Sequence, residues 1–213
     1  MSKYEYGYEY AQPRPPVVPG ENVLLTVKPK KNAFIANRVL GMMPLALLWL
    51  AFDSMFIGAA FSGINGTMSL LMTGFFLVHL MPVWIWLSNV LTANRRWKNT
   101  VYYVTDRRII IQTGFLDREL QTVYYKDIQN VSLRIGIMDK LLGVGDVHFD
   151  LGHFDRKGRA LTKAFLDVEN PHEIYTRVQK IVMDIQTDIE FPNAYRPEDN
   201  PGYQTRYSDD RDG

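Results

Sequence analysis

Apolar residues are concentrated in two long segments, and shorter alternating runs follow them along the chain. The first segment covers residues 39–62 and the second residues 68–91. Each is about 24 residues long, or about 36 Å as a helix. That length crosses the hydrocarbon core of a bilayer, about 30 Å thick, with some tilt. Because only one charged residue interrupts them, the segments predict two transmembrane spans rather than core helices of a soluble protein.

Basic residues flank this pair of segments, while the joint between them, "GINGT" at residues 63–67, carries no charge. Positively charged flanks favour the cytoplasmic side of a membrane. We therefore predict a transmembrane hairpin over residues 38–93 in the cell (inner or plasma) membrane, multi-pass, with the N and C termini cytoplasmic. The basic flanking residues are Lys28, Lys30, Lys31 and Arg38 before the hairpin and Arg95, Arg96 and Lys98 after it.

Two ionisable residues, Asp53 and His79, lie inside the apolar segments at equal sequence distances from Gly66 in the joint. In an antiparallel hairpin, equal distance from the turn means similar depth. A carboxylate in hydrocarbon costs roughly 2.5 to 3.5 kcal/mol, so a polar partner at the same depth is favoured. The pattern predicts an intramembrane polar pair. A proton relay or catalytic dyad, and two groups that simply face lipid, are the alternatives.

Gly58 and Gly74 are also symmetric about Gly66, and small residues allow two helices to approach closely. At 100° per residue, each glycine lies about 140° around its helix from the ionisable residue of the same segment. One helix face therefore cannot hold both pairs. Either Asp53 meets His79 inside the hairpin, or the glycine faces close the hairpin and the polar pair faces another subunit.

Both ends of the chain are polar and rich in proline. Residues 1–37 begin with tyrosine at alternating positions, continue with "PRPPVVPG" and end in the basic flank. Residues 191–213 contain few aliphatic side chains. Such compositions cannot bury enough apolar surface to fold alone, so we predict a disordered N-terminal arm and a disordered C-terminal tail.

Between residues 94 and 190 the apolar period is first that of strands and then that of a helix. The runs "TVYYVT", "RIIIQTG", "DVHFDLGHF" and "ALTKAFLDV" are short and bounded by turn residues, which is typical of an antiparallel sheet or barrel. Asn170 and Glu173 then form an N-cap and N3 pair with Pro171 at the first helical position. An amphipathic helix is predicted after them from apolar residues at helical spacing, namely Ile174, Val178, Ile181, Ile185 and Ile189.

Three stretches of this region resemble the bacterial pleckstrin-homology (PH) domain family, in its membrane-anchored type with two N-terminal transmembrane helices. They are "YYVTDRRIIIQTGFLDRE", "DIQNVSLRIGIMDKLLGVGDV" and "VENPHEIY". The resemblance implies a transmembrane α-hairpin followed by an α+β cytoplasmic domain over residues 94–190. It implies for that domain a PH-like antiparallel β-barrel or sandwich capped by a C-terminal α-helix, and a role that is not enzymatic.

Other motifs give little indication of chemistry. "HFDLGHFD", residues 148–155, has imidazole and carboxylate groups that could bind a divalent metal, but the polar face of a hairpin is the favoured interpretation. "GVGDV" lacks the lysine and the helix of a phosphate loop. The chain has no cysteine and a formal net charge of +1, which excludes thiolate zinc sites and gives no field for nucleic acid. We predict no catalytic residue, no metal and no cofactor.

A basic cluster beside the predicted membrane is the remaining candidate site. Basic residues there follow from topology alone, but they also contact anionic headgroups, at roughly 1 kcal/mol per charge. The leading hypothesis is a non-enzymatic scaffold or interaction module, in contact with the lipid bilayer and an unidentified membrane or cytoplasmic protein and forming a homo-oligomer. An anionic-lipid-binding module, and a membrane enzyme or proton-linked channel built on Asp53 and His79, are the alternatives. The cluster consists of Arg95, Arg96, Lys98, Arg107 and Arg108.

Overall fold

The computed structural model describes residues 15–61, 66–154 and 160–190. The start of the predicted arm, most of the joint and the predicted tail lie outside these residues. The elements are, in order, β1 (Val23–Val27), α1 (Lys31–Phe61), α2 (Gly66–His79), α3 (Met81–Asn99), β2 (Val101–Thr105), β3 (Arg108–Thr113), β4 (Glu119–Tyr124), a 3-10 turn (Tyr125–Asp127), β5 (Asn130–Arg134), α4 (Ile137–Leu142), β6 (Val144–Phe154), β7 (Ala160–Glu169) and α5 (Pro171–Glu190).

The strands form two antiparallel sheets, one in the order β1-β2-β3-β4 and the other in the order β5-β6-β7. Strands β2 and β3 are joined by a two-residue turn, and Tyr102 faces Ile111 across them. Almost every residue of these two strands is buried. Alternate side chains face the main core, and those on the opposite face of the sheet pack against Val17 and Val23. The predicted antiparallel two-sheet domain is confirmed.

The core lies between the two sheets and under α5. Tyr102, Phe165 and Phe149 form an aromatic centre, with ring centroids 4.6 Å apart for the first pair and 4.9 Å for the second. The predicted closing helix is confirmed, because α5 begins at Pro171 and buries its apolar stripe against this core. The buried residues of that stripe are Val178, Val182 and Ile185.

Strand β1 is a correction to the sequence analysis, which assigned residues 1–37 to a disordered arm. Val23–Val27 pairs with β2, and Val27 is only 5% exposed in the main core. The helical part of the chain begins at Lys31, also inside the predicted arm. A five-residue strand gives a weak local signal, and this one gains its stability from a partner strand far along the chain. The two-sheet domain therefore includes residues on both sides of α1–α3.

Of the helices that the structure describes, α1 alone is long and apolar enough to cross a membrane by itself. The second predicted span is not one straight helix. It is divided into α2 and α3, which are bent by 56° and reach the required length and apolarity only when they are taken together. Pro82 lies at the start of α3, where it has no N–H to donate and its ring obstructs the preceding turn. The structure therefore does not show the two uninterrupted transmembrane helices that the sequence predicts.

Candidate functional site

Asp53 of α1 and His79 at the end of α2 are brought together by the structure. Nδ1 of His79 lies 3.0 Å and 3.1 Å from the two carboxylate oxygens of Asp53, so a protonated Nδ1 donates to both. The Asp53 side chain is 1% exposed, whereas that of His79 is 32% exposed. Trp49 donates from Nε1 to the backbone carbonyl of His79 at 2.9 Å, which fixes the end of α2 against α1.

The polar pair lies in a groove of about 610 Å³ between α1 and α2. The His79 ring stacks on Phe75 with centroids 5.1 Å apart, and Trp49 lies 5.3 Å away on α1. Apart from the pair, the lining side chains offer neither a nucleophile nor a charge. They are Phe52, Phe56, Met72, Phe75 and Phe76. This arrangement can hold a proton between two groups, and it suits a hydrogen bond that joins two apolar helices.

The glycines of the two helices do not form the contact between them. A Cβ atom added at Gly58 or at Gly74 would meet nothing within 4 Å among the described residues. Of the two pairings open from sequence, the structure therefore shows the contact between Asp53 and His79, which joins α1 to α2 within one chain. Within the described part of the chain, the helix faces that carry these glycines are left open.

We expect Asp53 and His79 to be energetically coupled. Asp53→Leu or His79→Leu alone leaves one polar group without its partner, whereas the double change removes both groups. The double variant should therefore lose less stability than the two single variants together. Interhelical hydrogen bonds in membranes average about 0.6 kcal/mol, so we expect a coupling of about 1 kcal/mol. Thermal unfolding of the four proteins in one detergent measures it.

A matched control for this cycle is Asp53→Leu combined with Ser54→Ala, because the Ser54 hydroxyl donates within α1 to the Ala51 carbonyl, at 2.7 Å, and not to α2. That control should show additive losses. Additive losses in the Asp53 and His79 cycle would mean that the two groups do not stabilise each other.

The basic residues near the end of α3 lie against two aromatic rings, Trp97 and Phe115. Nζ of Lys28 lies 4.4 Å from the ring centre of Trp97, and the indole donates to the Pro29 carbonyl at 2.8 Å. The guanidinium carbons of Arg95 and Arg96 lie 5.9 Å and 5.4 Å from the ring centre of Phe115. The Nε–H of Arg96 also donates to the Thr92 hydroxyl at 3.4 Å. Lys98 belongs to the same turn of α3.

Arg107 and Arg108 do not belong with that group, which corrects the predicted cluster of five. They follow the far end of β2, about 16 Å along the strand from the end of α3. Arg108 makes a two-pronged ion pair with Glu21, through Nε–Oε1 and Nη2–Oε2 contacts of 3.0 Å each. Arg107 donates to the Gly20 carbonyl at 3.3 Å. Arg108 thus has a structural partner that sequence reading missed.

Glu21 is the centre of that arrangement. Burial opposes its ionisation, but hydrogen bonds from Arg108, from the N–H of Val18 and from the Thr105 hydroxyl outweigh burial and hold its pKa below the ordinary value. The Val18 N–H donates at 2.9 Å and the Thr105 hydroxyl at 2.7 Å. The pair therefore fastens the segment before β1 to the β2–β3 turn.

A second polar junction, also missed from sequence, joins the start of α1 to the two-sheet domain. The side-chain amide of Asn37 donates to Asp139 of α4 at 3.1 Å and also to Asp167 of β7. The backbone N–H of Asp167 donates to Asp146 at 2.9 Å, and the Lys30 N–H donates to the Asp167 carbonyl at 2.8 Å. No local sequence signal points to these contacts, because their members are far apart along the chain.

Asp167 carries an unusual electrostatic environment at this junction. Burial raises the pKa of its carboxyl to about 6, the Asn37 hydrogen bond opposes the rise, and the nearby carboxylates of Asp146 and Asp139 add to it. Its backbone is in the left-handed region, with φ of 55°, where aspartate and asparagine are tolerated better than other residues with side chains. The junction is thus a specific structure rather than a solvated polar surface.

The metal hypothesis for residues 148–155 gains no support. Among the described residues, no group of three or more His, Cys, Asp or Glu side chains is placed to hold a metal ion. His148 and Asp150 lie on β6, whereas Asp155 and the side chain of His153 lie outside the described part.

Comparison with protein families matches the Bacterial PH domain family over residues 40–182, about two thirds of the chain. Curated proteins give no match to the chain, and neither do solved structures. The matched region begins in α1 and ends in α5, so it includes the apolar helices as well as most of the two-sheet domain. The resemblance to the family is thereby confirmed, whereas its type with two N-terminal transmembrane helices is not, and the chain belongs to the bacterial PH domain family.

Proposed function

We propose that the protein is a membrane-anchored, non-enzymatic interaction module, whose PH-like domain is held at the cytoplasmic face of the cell membrane by the helices α1–α3. The observation that carries this proposal is the position of those helices. They are inserted between β1 and β2, two paired strands of one sheet. Both ends of the apolar region are therefore attached to the same folded domain.

The surface of the helices supports a lipid environment. Only 11% of the most apolar stretch of α1 is buried within the chain, whereas the core helix of a soluble protein is mostly buried. Large apolar side chains such as Leu48 (70% exposed) and Met55 (75% exposed) point away from the rest of the protein. Exposed apolar surface of this extent is characteristic of contact with a membrane or with another protein.

The lipid bilayer and an unidentified membrane or cytoplasmic protein are the partners we propose, and the protein is proposed to be a homo-oligomer. The open faces at Gly58 and Gly74 support association of the helices, since small residues let a second helix approach closely. No enzymatic activity is proposed, because the polar pair lies among phenylalanine and methionine side chains and already satisfies itself.

Single cysteines in this naturally cysteine-free chain test the topology. We expect Gly66→Cys, in the joint region, to react with a membrane-impermeant maleimide in intact cells. We expect Met183→Cys, on α5, to react only after the cells are lysed, because basic flanks keep the domain inside. Labelled protein is measured on gels, and the protein should remain in the membrane pellet after an alkaline carbonate wash.

The cysteine-free parent chain and a cytoplasmic marker protein are the controls for this labelling. Reaction of Met183→Cys in intact cells would place the domain on the other side. Release of the chain by carbonate would contradict the membrane anchor itself.

Recognition of anionic lipid headgroups is a second candidate function, favoured by one observation. Arg96 and Lys98 lie in the last turn of α3 and Arg95 directly precedes that turn, so three basic side chains are grouped at the end of the apolar helices. Native mass spectrometry of the purified chain tests it. Equal retention of neutral and anionic lipids would remove this candidate.

A further inference from the structure

Helix α4 carries apolar side chains that no part of the described chain covers. Ile137 is 91% exposed and Leu141 is 79% exposed. They are four residues apart and share one face of the helix, and Met138 beside them is 41% exposed. A single exposed leucine needs no explanation, but adjacent exposed apolar residues on one helix face indicate a surface that is covered in the functional protein.

The position of α4 indicates what covers this face. Asp139 accepts a hydrogen bond from Asn37 of α1 at 3.1 Å. Asn37 lies two residues before Val39, where the apolar part of α1 begins. On the neighbouring helix, Trp86 of α3 donates to the Val39 carbonyl at 3.0 Å, so both helices are apolar from this level onward. Helix α4 therefore lies beside the level where the apolar helix surfaces begin.

Helix α4 is also held firmly in this place. Its N-terminus is closed by Asp139, which accepts from the Gly136 N–H at 2.9 Å. At its other end, Nζ of Lys30 donates to the Leu142 carbonyl at 3.2 Å. Gly143 then ends the helix in the left-handed region, with φ of 66°. The contacts of Asp139 and Leu142 join α4 to α1 and to the segment just before α1. The apolar side chains of α4 lie on the opposite face of the helix and are exposed.

We propose that the apolar face of α4, formed by Ile137, Met138 and Leu141, enters the cytoplasmic leaflet of the membrane that holds α1–α3. Apolar helix faces at an interface are buried about 5 to 10 Å into the boundary between headgroups and acyl chains. The occupant we infer is the bilayer because α4 lies at the level where α1 becomes apolar, and because its exposed Lys140 suits an anionic headgroup layer.

This contact gives the PH-like domain a third point of attachment. The ends of α1 and α3 attach it through the chain, and α4 attaches it through lipid. Three points define a plane, so the domain keeps a fixed orientation on the membrane. The inference rests on the proposed membrane anchor, and its test separates the two.

Spin labels on single cysteines measure depth in the membrane. The full-length chain, reconstituted in vesicles of neutral lipid and of neutral lipid mixed with anionic lipid, is labelled at Leu141→Cys, at Met183→Cys or at Leu48→Cys. Collisions with oxygen, which concentrates in lipid, and with a water-soluble nickel chelate are compared. Met183 is the matched control, since it is apolar, 52% exposed and on a helix, but it lies on α5.

We expect the label at residue 141 to favour oxygen over nickel several-fold more than the label at residue 183, in both kinds of vesicle. Equal values at these two sites would overturn the inference, and so would protection of residue 141 from both reagents, which indicates a protein contact. The label at Leu48, in the middle of α1, reports the anchor separately. If residue 48 is open to nickel, the proposed membrane anchor fails, whatever the result at residue 141.

Discussion

Ile185→Asp should unfold the PH-like domain. Ile185 is 1% exposed and belongs to the stripe of α5 that covers the core between the two sheets. An aspartate there either stays ionised without a partner or becomes protonated at a cost in free energy. The change also removes apolar contacts, so we expect a loss above about 4 kcal/mol, a large part of the stability of an ordinary domain.

Hydrogen exchange of the full-length chain is the suitable measurement, because the helices α1–α3 need not unfold together with the domain. Peptides from β6 and β7 should lose their protection in the Ile185 variant. Met183→Asp is the matched control: it places the same charge on the same helix at a position that is 52% exposed, where changes usually stay within about 0.5 kcal/mol. Protection of β6 equal to that of the control would contradict the packing of α5.

The full chain is required for this experiment because the domain is not continuous in sequence. Residues 94–190, the boundaries predicted from the sequence, leave out β1. Without it, the hydrogen-bonding edge of β2 would be open and Val27 would be missing from the core. An open strand edge promotes pairing with other chains, so the shorter fragment would test aggregation as well as packing.

Local patterns predicted the parts of the fold whose contacts are local. The helix α5 has an N-cap, a proline at its first position and an apolar stripe of helical period, all within its own length. The hairpin of β2 and β3 joins two β-branched runs through a tight turn. The pairing of Asp53 with His79 was also within reach, because a short joint makes depth in a hairpin a simple function of sequence distance.

Contacts between distant parts of the chain could not be predicted in this way. Asn37 and Asp167 are 130 residues apart, and Glu21 and Arg108 are 87 apart. A polar residue before the first apolar segment has many possible partners, and only the assembled fold chooses among them. For the same reason, the sequence alone does not predict β1: its partner strand is separated from it by three helices. Pro82 is a local signal for the bend before α3. The residues on both sides of Pro82 are apolar, however, so the apolar pattern alone predicts one continuous helix.

Arg108→Ala is the second change from which we expect a large loss. The Glu21 side chain is fully buried beside the β2–β3 turn, and the guanidinium of Arg108 is 21% exposed. Removing one partner of a buried ion pair costs about 3 to 5 kcal/mol because the other charge is left uncompensated. Since Arg108 is partly exposed and Glu21 keeps the donors Thr105 and Val18, we expect about 2 to 3 kcal/mol in thermal unfolding.

Arg107→Ala is the neighbouring control, and it should change stability by less than about 0.5 kcal/mol because this side chain lies at the surface.

The pH dependence identifies Glu21 as the cause of the Arg108 effect. The pKa of Glu21 is lower in the folded protein, so its contribution is complete above the ordinary pKa and is lost as the pH falls through the folded value. The difference in Tm between the wild type and Arg108→Ala should therefore shrink on acidification. An unchanged Tm together with weaker binding to anionic vesicles would instead return Arg108 to the role of a headgroup contact. The expected result would identify Arg108 as the residue that attaches the segment before β1 to the sheet. Because β1 leads into α1, the same contact helps to hold the start of the apolar helices.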